Sequence, residues 1–333
     1  MNKQARIQSI DDLRGLAIFF MILVHTSVYF LTNNYMKFLW NFSEWAVAGF
    51  VFCASFVFFI SEKNIFWNEK KFDFKKYFNY LIKRIKRLVW PYFVFLPFFS
   101  VSYLIANHKF FSFSYLLKSV FFVGGVDIGW MVLLFIIFAI LSPFIKYFFE
   151  KKKAIFYFLL FISFLASLIF LFIRNLGFDY KYVFWISWSL IIFYTALFIK
   201  LKRNNKFYFL SILILSFLFV VSAMIISHNH LSLNQIDNKY PPNIYHLSFG
   251  ILGILGFYLL SKSGILNFLS GFLNFLSANS YSIYFIHYLI LYATAFWFVK
   301  YSNWFIFTLF IFIITLLIRK TLSIFFRKLH VGI

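Results

Sequence analysis

Two histidines lie inside apolar stretches of this sequence that are long enough to cross a membrane. His25 belongs to the run from Ile7 to Phe30, and His287 belongs to the run from Ser280 to Val299. Eleven residues return an α-helix to nearly the same face after a rise of about 16 Å, so Arg14 lies below His25 on one face. The spacing predicts an arginine at one membrane surface and an imidazole near the midplane.

An imidazole at that depth is costly among lipid tails, so we expect it to face the interior of a helix bundle or a water-filled cavity. There it can take a proton from a substrate hydroxyl or accept a transferred group itself. Counted from a helix start near Ser280, His287 lies about 10 Å into the membrane, which would place both imidazoles in one layer. The alternative is two unrelated histidines that each hydrogen-bond a neighbouring helix. Without a nearby carboxylate or cysteine cluster, the pair predicts no metal site.

The composition indicates what kind of protein must position these histidines. Hydrophobic residues make up 63% of the 333 residues, and the mean hydropathy is +0.84. The sequence predicts an all-α, polytopic bundle of about ten membrane helices in one domain over residues 1–333, with no appended soluble domain. The predicted spans are Leu13 to Leu31, Trp45 to Ile60, Leu88 to Ala106, Trp130 to Phe149, Ala154 to Ile173, Tyr182 to Ile199, Phe207 to Ser227, Ile244 to Leu260, Ser280 to Val299 and Trp304 to Ile318.

Charge gives the expected orientation of this bundle. The net charge is +22, and basic residues concentrate in alternate loops, with nine of them between Lys63 and Arg87. Basic loops favour the cytoplasmic side, beside anionic lipid, so we expect both termini to be cytoplasmic. The charge does not indicate nucleic-acid binding, because so little of the chain lies outside the predicted spans. The expected location is the cell membrane.

Three segments do not fit simple spans. Residues 70–88 and 264–277 have the alternation of helices lying on the cytoplasmic surface, and residues 110–126 are apolar but interrupted by Lys118 and two glycines. The remaining histidines are expected to be solvated residues of loops or helix ends, namely His108, His228, His230, His246 and His330.

The sequence resembles the integral-membrane acyltransferases of the acyltransferase-3 group, which O-acylate surface polysaccharides and related molecules. The opening IDDLRGLAIFFMILVHTS is similar to the first-span motif of that family, and RIKRLVWPY is similar to its basic entry to the third span. Trp130 followed by Pro143, and SYSIYFIHYLIL, complete the resemblance in matching order. The matching positions are Asp11, Arg14, Gly15, His25, Arg84, Arg87, Pro91, Trp130, Pro143, Ser280 and His287.

The resemblance implies a reaction and a set of roles. Cytoplasmic acyl-CoA, most commonly acetyl-CoA, would be the donor, and a surface glycan or another hydroxyl compound would be the acceptor. Arg14, Arg84 and Arg87 are the candidates for holding the phosphates of CoA, since guanidinium groups bind phosphate through paired hydrogen bonds. The catalytic candidates are His25, as base or acyl acceptor, and His287, as a neutral donor to the thioester carbonyl.

The remaining candidates have less definite roles. Asp11 is expected to orient Arg14, and Asp12 to cap the first helix. The resemblance adds Trp130 and Ser280 as substrate-binding or orienting residues. For most of the nine basic residues between Lys63 and Arg87, the alternative role is anchoring to lipid. No metal is expected, and the expected partners are membrane lipid, acyl-CoA and the acceptor.

The resemblance is incomplete, and other classes of protein stay open. The second span reads Cys53, Ala54, Ser55 where the family usually has a serine-glycine pair, and Ile128 and Gly129 precede Trp130 where members often have a polar residue. An exporter or flippase of a surface polysaccharide or lipid-linked sugar would also suit buried histidines and a basic entrance. Inverted repeats and interrupted helices, which are frequent in transporters, are not evident in the sequence.

Overall fold

The computed structural model describes residues 7–61, 66–68, 71–107, 111–173 and 180–328, so Lys63, His108 and His330 lie outside the described residues. The described chain is helical, apart from turns and one small antiparallel hairpin, β1 (Trp67–Asn68) with β2 (Lys71–Phe72). The helices are α1 (Gln8–Ser27), α2 (Asn34–Ser43), α3 (Trp45–Ile60), α4 (Phe74–Asn107), α5 (Phe113–Val120), α6 (Gly129–Lys151), α7 (Lys153–Phe172), α8 (Phe184–Leu201), α9 (Asn205–His228), α10 (Ile244–Lys262), α11 (Ser270–Phe298) and α12 (Trp304–Lys328).

Ten helical segments among the described residues are long and apolar enough to cross a membrane, which confirms the predicted all-α membrane fold. Two of the predicted boundaries are wrong. The expected surface helix over residues 70–88 is continuous with the third span as α4, because nothing between them breaks the helix and Pro91 is accommodated inside it. The helix that contains the ninth span, α11, begins at Ser270 rather than near Ser280, since most of the expected surface segment 264–277 belongs to it.

The described residues form two compact units. The first comprises those of 1–46, 90–120 and 260–333, and the second those of 47–89 and 121–259. In the first unit α1 packs against α2, α11 and α12. Helices α1 and α11 run in the same direction, because Asp11 contacts Ser277 and, later in both helices, His25 contacts His287. This direction is the one expected for the first and ninth spans of an alternating bundle.

Helix α5 doubles back along the last part of α4. The phenol of Tyr92, in the middle of α4, donates to the carbonyl of Ser119 at 2.9 Å, and Tyr103, further along α4, lies against Tyr115. The short helix α5 therefore runs antiparallel to the last part of α4. This arrangement explains why the predicted segment 110–126 is apolar and yet too short and interrupted to cross a membrane.

The second unit contains α6, α7 and α8, which pack against one another, together with α9 and α10. Apolar side chains on α7 and α9 are largely exposed, as expected for lipid-facing helices, for example Phe161 at 58% and Phe209 at 72%. The expectation that His246 is solvated is wrong. His246 is fully buried in the first turn of α10, where its Nδ1 lies 3.0 Å from Oε1 of Gln235.

Candidate active site

The two predicted membrane histidines meet inside the first unit. Nδ1 of His25 lies 2.8 Å from Nε2 of His287, which is hydrogen-bonding distance. The rings are nearly parallel, with 10° between their planes and 5.1 Å between their centroids. His287 is fully buried, whereas His25 keeps part of its surface accessible. The expectation that both imidazoles occupy one layer of the bundle is confirmed.

A backbone carbonyl determines which nitrogen of each ring carries hydrogen. Nδ1 of His287 lies 2.9 Å from the carbonyl oxygen of Ile283, one turn earlier in α11. A carbonyl only accepts hydrogen bonds, so Nδ1 of His287 must be the protonated nitrogen and Nε2 of the neutral ring carries a lone pair. Nδ1 of His25 therefore donates to that lone pair. It follows that Nε2 of neutral His25 is unprotonated and can act as a base.

This arrangement changes the role expected of His287. Its single N–H is bonded to Ile283, so the neutral ring has no N–H to offer a thioester carbonyl, and the expected donor role is wrong for this tautomer. Instead, His287 holds His25 in the tautomer that leaves Nε2 basic. A protonated His25 would donate to the same lone pair of His287, as a catalytic histidine does to the acceptor behind it. His287 thus has the geometry of a positioning residue, and the catalytic roles of both histidines stay predictions.

Replacing His287 with leucine should lower kcat by about 10- to 100-fold and leave the KM for the donor nearly unchanged, because His25 loses the acceptor that orients it. His287→Gln should recover part of the loss, since its amide oxygen can accept from Nδ1 of His25. Steady-state kinetics on the purified variants measures both constants. Equal kcat values for the leucine and glutamine variants would contradict the acceptor role of His287. They would mean that His287 contributes only by packing.

Hydrogen bonds to α12 hold the end of α1 that carries His25. The hydroxyl of Thr308 donates to that of Thr26 at 3.0 Å, and Thr26 donates back to the carbonyl of Ile22. The indole N–H of Trp304 lies 3.2 Å from the hydroxyl oxygen of Ser27. These contacts immediately follow His25 in the chain. They limit rotation of α1 at the level of the histidine pair.

Carboxylates fix the other end of α1. Asp12 is buried and accepts hydrogen bonds from the hydroxyl of Ser261 at 2.5 Å and the amide of Gln8 at 2.6 Å. Asp11 accepts from the hydroxyl of Ser277 at 2.9 Å. The expected capping role of Asp12 is wrong, because the residue at the cap is Ile7 and its side chain makes no cap bond. The carboxylates instead tie α1 to the end of α10 and to α11.

Gly15 lets α1 and α11 approach closely between these two ends. A Cβ atom at position 15 would lie 2.5 Å from the carbonyl oxygen of Leu273 and 3.0 Å from its Cα. Backbone atoms cannot move aside as a flexible side chain can, so only glycine fits here without displacing a helix. This close approach lies ten residues before His25 in α1.

The predicted arginines are accessible to different extents. Arg14 is half-buried on α1, Arg84 is half-buried on α4, and Arg87, three residues later, is exposed. Arg14 belongs to the first unit, and the two arginines of α4 belong to the second. Ser280 is half-buried in α11, two turns before His287, so the two residues share a face and lie about 10 Å apart along the axis. The roles assigned to these residues stay predictions.

Trp130 begins α6 in the second unit, in an aromatic and charged environment. Its ring meets that of Tyr240 edge-on with centroids 5.2 Å apart, and Nζ of Lys239 lies 5.5 Å from the Trp130 centroid. Trp130 is buried among these side chains, and its role in binding also stays a prediction.

The sequence interpretation missed three contributors to this site. Ser277 and Asn274 lie in the segment expected to be a surface helix, whereas both side chains face α1. Ser261 lies in the last turn of α10, where the sequence gives no sign of its partner. Tyr288 follows His287 and packs edge-on against His25, with centroids 5.6 Å apart. The sequence signal for the contact with α1 was the polar stripe formed by residues 270, 274 and 277. Such a stripe can face a polar side of another helix as well as solvent.

Among the described residues, no group of three or more histidine, cysteine, aspartate or glutamate side chains could hold a metal ion. The site thus consists of a hydrogen-bonded imidazole pair inside a bundle of membrane-spanning helices. This combination defines a multi-pass membrane protein with a histidine pair among its spanning helices.

Comparison with known proteins identifies the family. A family model for the acyltransferase domain of the acyltransferase-3 group matches residues 7–319, nearly the whole chain. The chain belongs to this family and is a membrane acyltransferase, as the first-span motif predicted. Searches of curated proteins and of solved structures gave no significant match.

Proposed function

We propose that this protein transfers an acyl group, in the simplest case acetyl, from cytoplasmic acyl-CoA to a hydroxyl of an extracytoplasmic glycan or related cell-surface molecule. The observation that carries the proposal is the hydrogen bond from Nδ1 of His25 to Nε2 of His287, which leaves Nε2 of His25 basic. Membership of the acyltransferase family supports the reaction class. The cell membrane is the proposed location.

The reaction balances with His25 as the only proton carrier. Nε2 of His25 removes the proton from the acceptor hydroxyl as its oxygen attacks the thioester carbon. The carbon–sulfur bond then breaks, the acyl group stays on the acceptor oxygen as an ester, and the sulfur takes the proton to give the free thiol. His287 accepts a hydrogen bond from Nδ1 of His25 throughout the reaction. This bond favours the positively charged imidazolium that His25 becomes when it holds the proton.

Arginine side chains are the proposed contacts for the donor. Acyl-CoA is highly anionic, and guanidinium groups supply paired donors to phosphate. The exposed Arg87 and the half-buried Arg14 and Arg84 have the appropriate chemistry. The positive charge of the surrounding cytoplasmic loops would attract the donor as well as anionic lipid.

Arg14→Lys and Arg87→Ala should each raise the KM for acyl-CoA by roughly tenfold, because one charge-assisted contact to phosphate is lost. Lys86→Ala is the matched control for Arg87→Ala, since it removes an exposed positive charge from the neighbouring position of α4. Initial rates at varied acyl-CoA concentration measure the effect. A similar rise in KM for Lys86→Ala would assign Arg87 to general attraction or lipid anchoring.

The competing function is export or flipping of a surface polysaccharide or lipid-linked sugar. A labelled acyl-CoA assay on the purified protein separates the two, because only the acyltransferase releases free CoA and labels an acceptor. Mass spectrometry of surface glycans from cells with and without the gene then identifies the acyl group and its position. Loss of the whole glycan from the surface, rather than loss of its acyl groups, would favour export.

A further inference from the structure

Aromatic side chains lead away from His25 along α11 and α4 in the first unit. Tyr288 contacts His25, and Phe99 of α4 lies 5.8 Å from Tyr288 and 4.8 Å from Tyr292 between ring centroids. Tyr103, one turn after Phe99, stacks on Tyr292 with centroids 6.0 Å apart and 15° between the planes. The rings form a continuous surface that begins at the base.

The surface continues beyond the end of α4. The ring of Phe111 lies 4.2 Å from that of Tyr103 and 4.6 Å from that of Tyr115. Asn107, the last residue of α4, donates from Nδ2 to the phenol oxygen of Tyr292 at 3.4 Å. We call this surface the aromatic track; its members are Phe99, Tyr103, Phe111, Tyr115, Tyr288 and Tyr292. With the expected orientation of the spans, it leads from His25 towards the extracytoplasmic ends of α4 and α11.

On α4 the track does not lie on the face that meets lipid. Val101 and Ile105 of α4 are 57% and 50% exposed, and Tyr103 lies two residues from each, which puts its side chain on the opposite face. In α11, Tyr292 is half-buried, and its ring contacts those of Phe99 and Tyr103. Tyr103 thus keeps accessible surface without facing lipid. This is the exposure expected of side chains that line a small-molecule site.

The chemistry of the track selects among possible ligands. Each tyrosine combines a flat apolar face with a hydroxyl, and Asn107 adds an amide. A sugar ring has the complementary surface, because its C–H face packs on an aromatic ring while its hydroxyls make hydrogen bonds. The side chains of the track and Asn107 carry no formal charge, so a charged sugar would be desolvated without an ion partner. A lipid chain would leave the phenol and amide groups unused.

We propose that the aromatic track binds a neutral pyranose ring of the acceptor and holds it beside His25. This inference rests on the proposed acyl transfer, because it names the class of acceptor for that reaction. Its first test does not depend on the reaction, because it measures sugar binding alone. In this arrangement Tyr103 and Tyr292 are specificity residues for the acceptor and make no contribution to donor binding.

The test is saturation-transfer difference NMR on the purified full-length protein with neutral methyl pyranosides, namely the glucoside, galactoside and mannoside, and with methyl glucuronide as the anionic comparison. The wild-type protein should bind at least one neutral glycoside more tightly than the glucuronide. Tyr103→Ala and Tyr292→Ala should weaken that binding by about tenfold or more, since each removes a stacking face. Val101→Ala and Ile105→Ala are the matched controls on the lipid-facing side of α4 and should bind as the wild type does.

Tyr103→Phe is the variant least expected to misfold, because it removes only a hydroxyl. It should weaken binding by roughly 2- to 10-fold. Absence of binding to every neutral glycoside, preference for the glucuronide, or equal binding by the tyrosine and control variants would overturn the proposal. If the glycosides bind as expected but acyl-CoA is never turned over, the proposed reaction is wrong and the sugar site remains. If glycans are acylated normally by the tyrosine variants, the track is not the acceptor site and the proposed reaction remains.

Discussion

Replacing His25 with alanine is expected to lower acyl transfer by about 10²- to 10⁴-fold, the usual contribution of a general base, while the protein stays in the membrane. The only proton acceptor that the proposed reaction uses is Nε2 of His25, which the bond between Nδ1 and His287 keeps unprotonated. Release of free CoA from labelled acyl-CoA, measured on purified protein at equal concentration, gives the loss directly.

His25→Asn separates a base from a packing residue. The asparagine amide can stand near the position of Nδ1 and donate to Nε2 of His287, so the contact between α1 and α11 is kept, but no base remains. We expect this variant to be as inactive as the alanine variant and more stable to heat. Turnover near the wild-type rate in His25→Asn would show that the pair only joins two helices.

Label on the wild-type protein incubated without acceptor would instead indicate that His25 accepts the acyl group before transfer.

The meeting of the two histidines could be predicted from the sequence, although the geometry behind it could not. Membrane depth alone required both imidazoles to face the bundle interior, and both do. Along α11, however, His287 lies about 21 Å beyond the residue that contacts Gly15, whereas along α1 His25 lies about 15 Å beyond it. Side-chain reach and helix inclination make up the difference. Neither quantity can be obtained from hydrophobic periodicity.

Which histidine of the pair donates depends on two distances. One joins His25 to His287 across two helices, and the other joins His287 to Ile283 within α11. Donation from His287 to Ile283 fixes both tautomers, and nothing in the residue types indicates whether a helical histidine bonds its own backbone or a substrate. Asp12 illustrates the same limit. Its place just before the first apolar run suited a capping or dipole role, whereas in the folded protein one partner is Ser261, which is 249 residues away in the chain.

Apolar patterning predicted the spans well because ten long hydrophobic stretches are separated by charge. It failed at α4 and α11, where a charged or polar amphipathic stretch continues directly into a span. A helix that emerges from the membrane and a helix that lies on its surface have the same local pattern. His246 was misassigned for a related reason, because burial of a helix start by a folded loop has no periodic signature.

Adding one methyl group at Gly15 is expected to lower turnover by about a hundredfold, although Gly15 lies far from the histidines in α1. The new Cβ would lie 2.5 Å from the carbonyl oxygen of Leu273, so α1 and α11 must separate. Both histidines are on these two helices, and a displacement near 1 Å of a catalytic group can cost about a hundredfold in rate. Overpacking should also destabilise the protein by about 1–3 kcal/mol, which thermal unfolding in detergent would measure.

The structure supplies two controls for Gly15→Ala. Gly271 lies in α11 with no atom within 4 Å of an added Cβ, so Gly271→Ala should keep full turnover and be neutral or slightly stabilising. The clash at Gly15 is with the backbone of Leu273, so Leu273→Ala should not rescue Gly15→Ala in the double variant. Rescue would mean that the obstacle is the leucine side chain rather than the helix itself. In that case the separation of α1 from α11 could not be the cause of the lost activity.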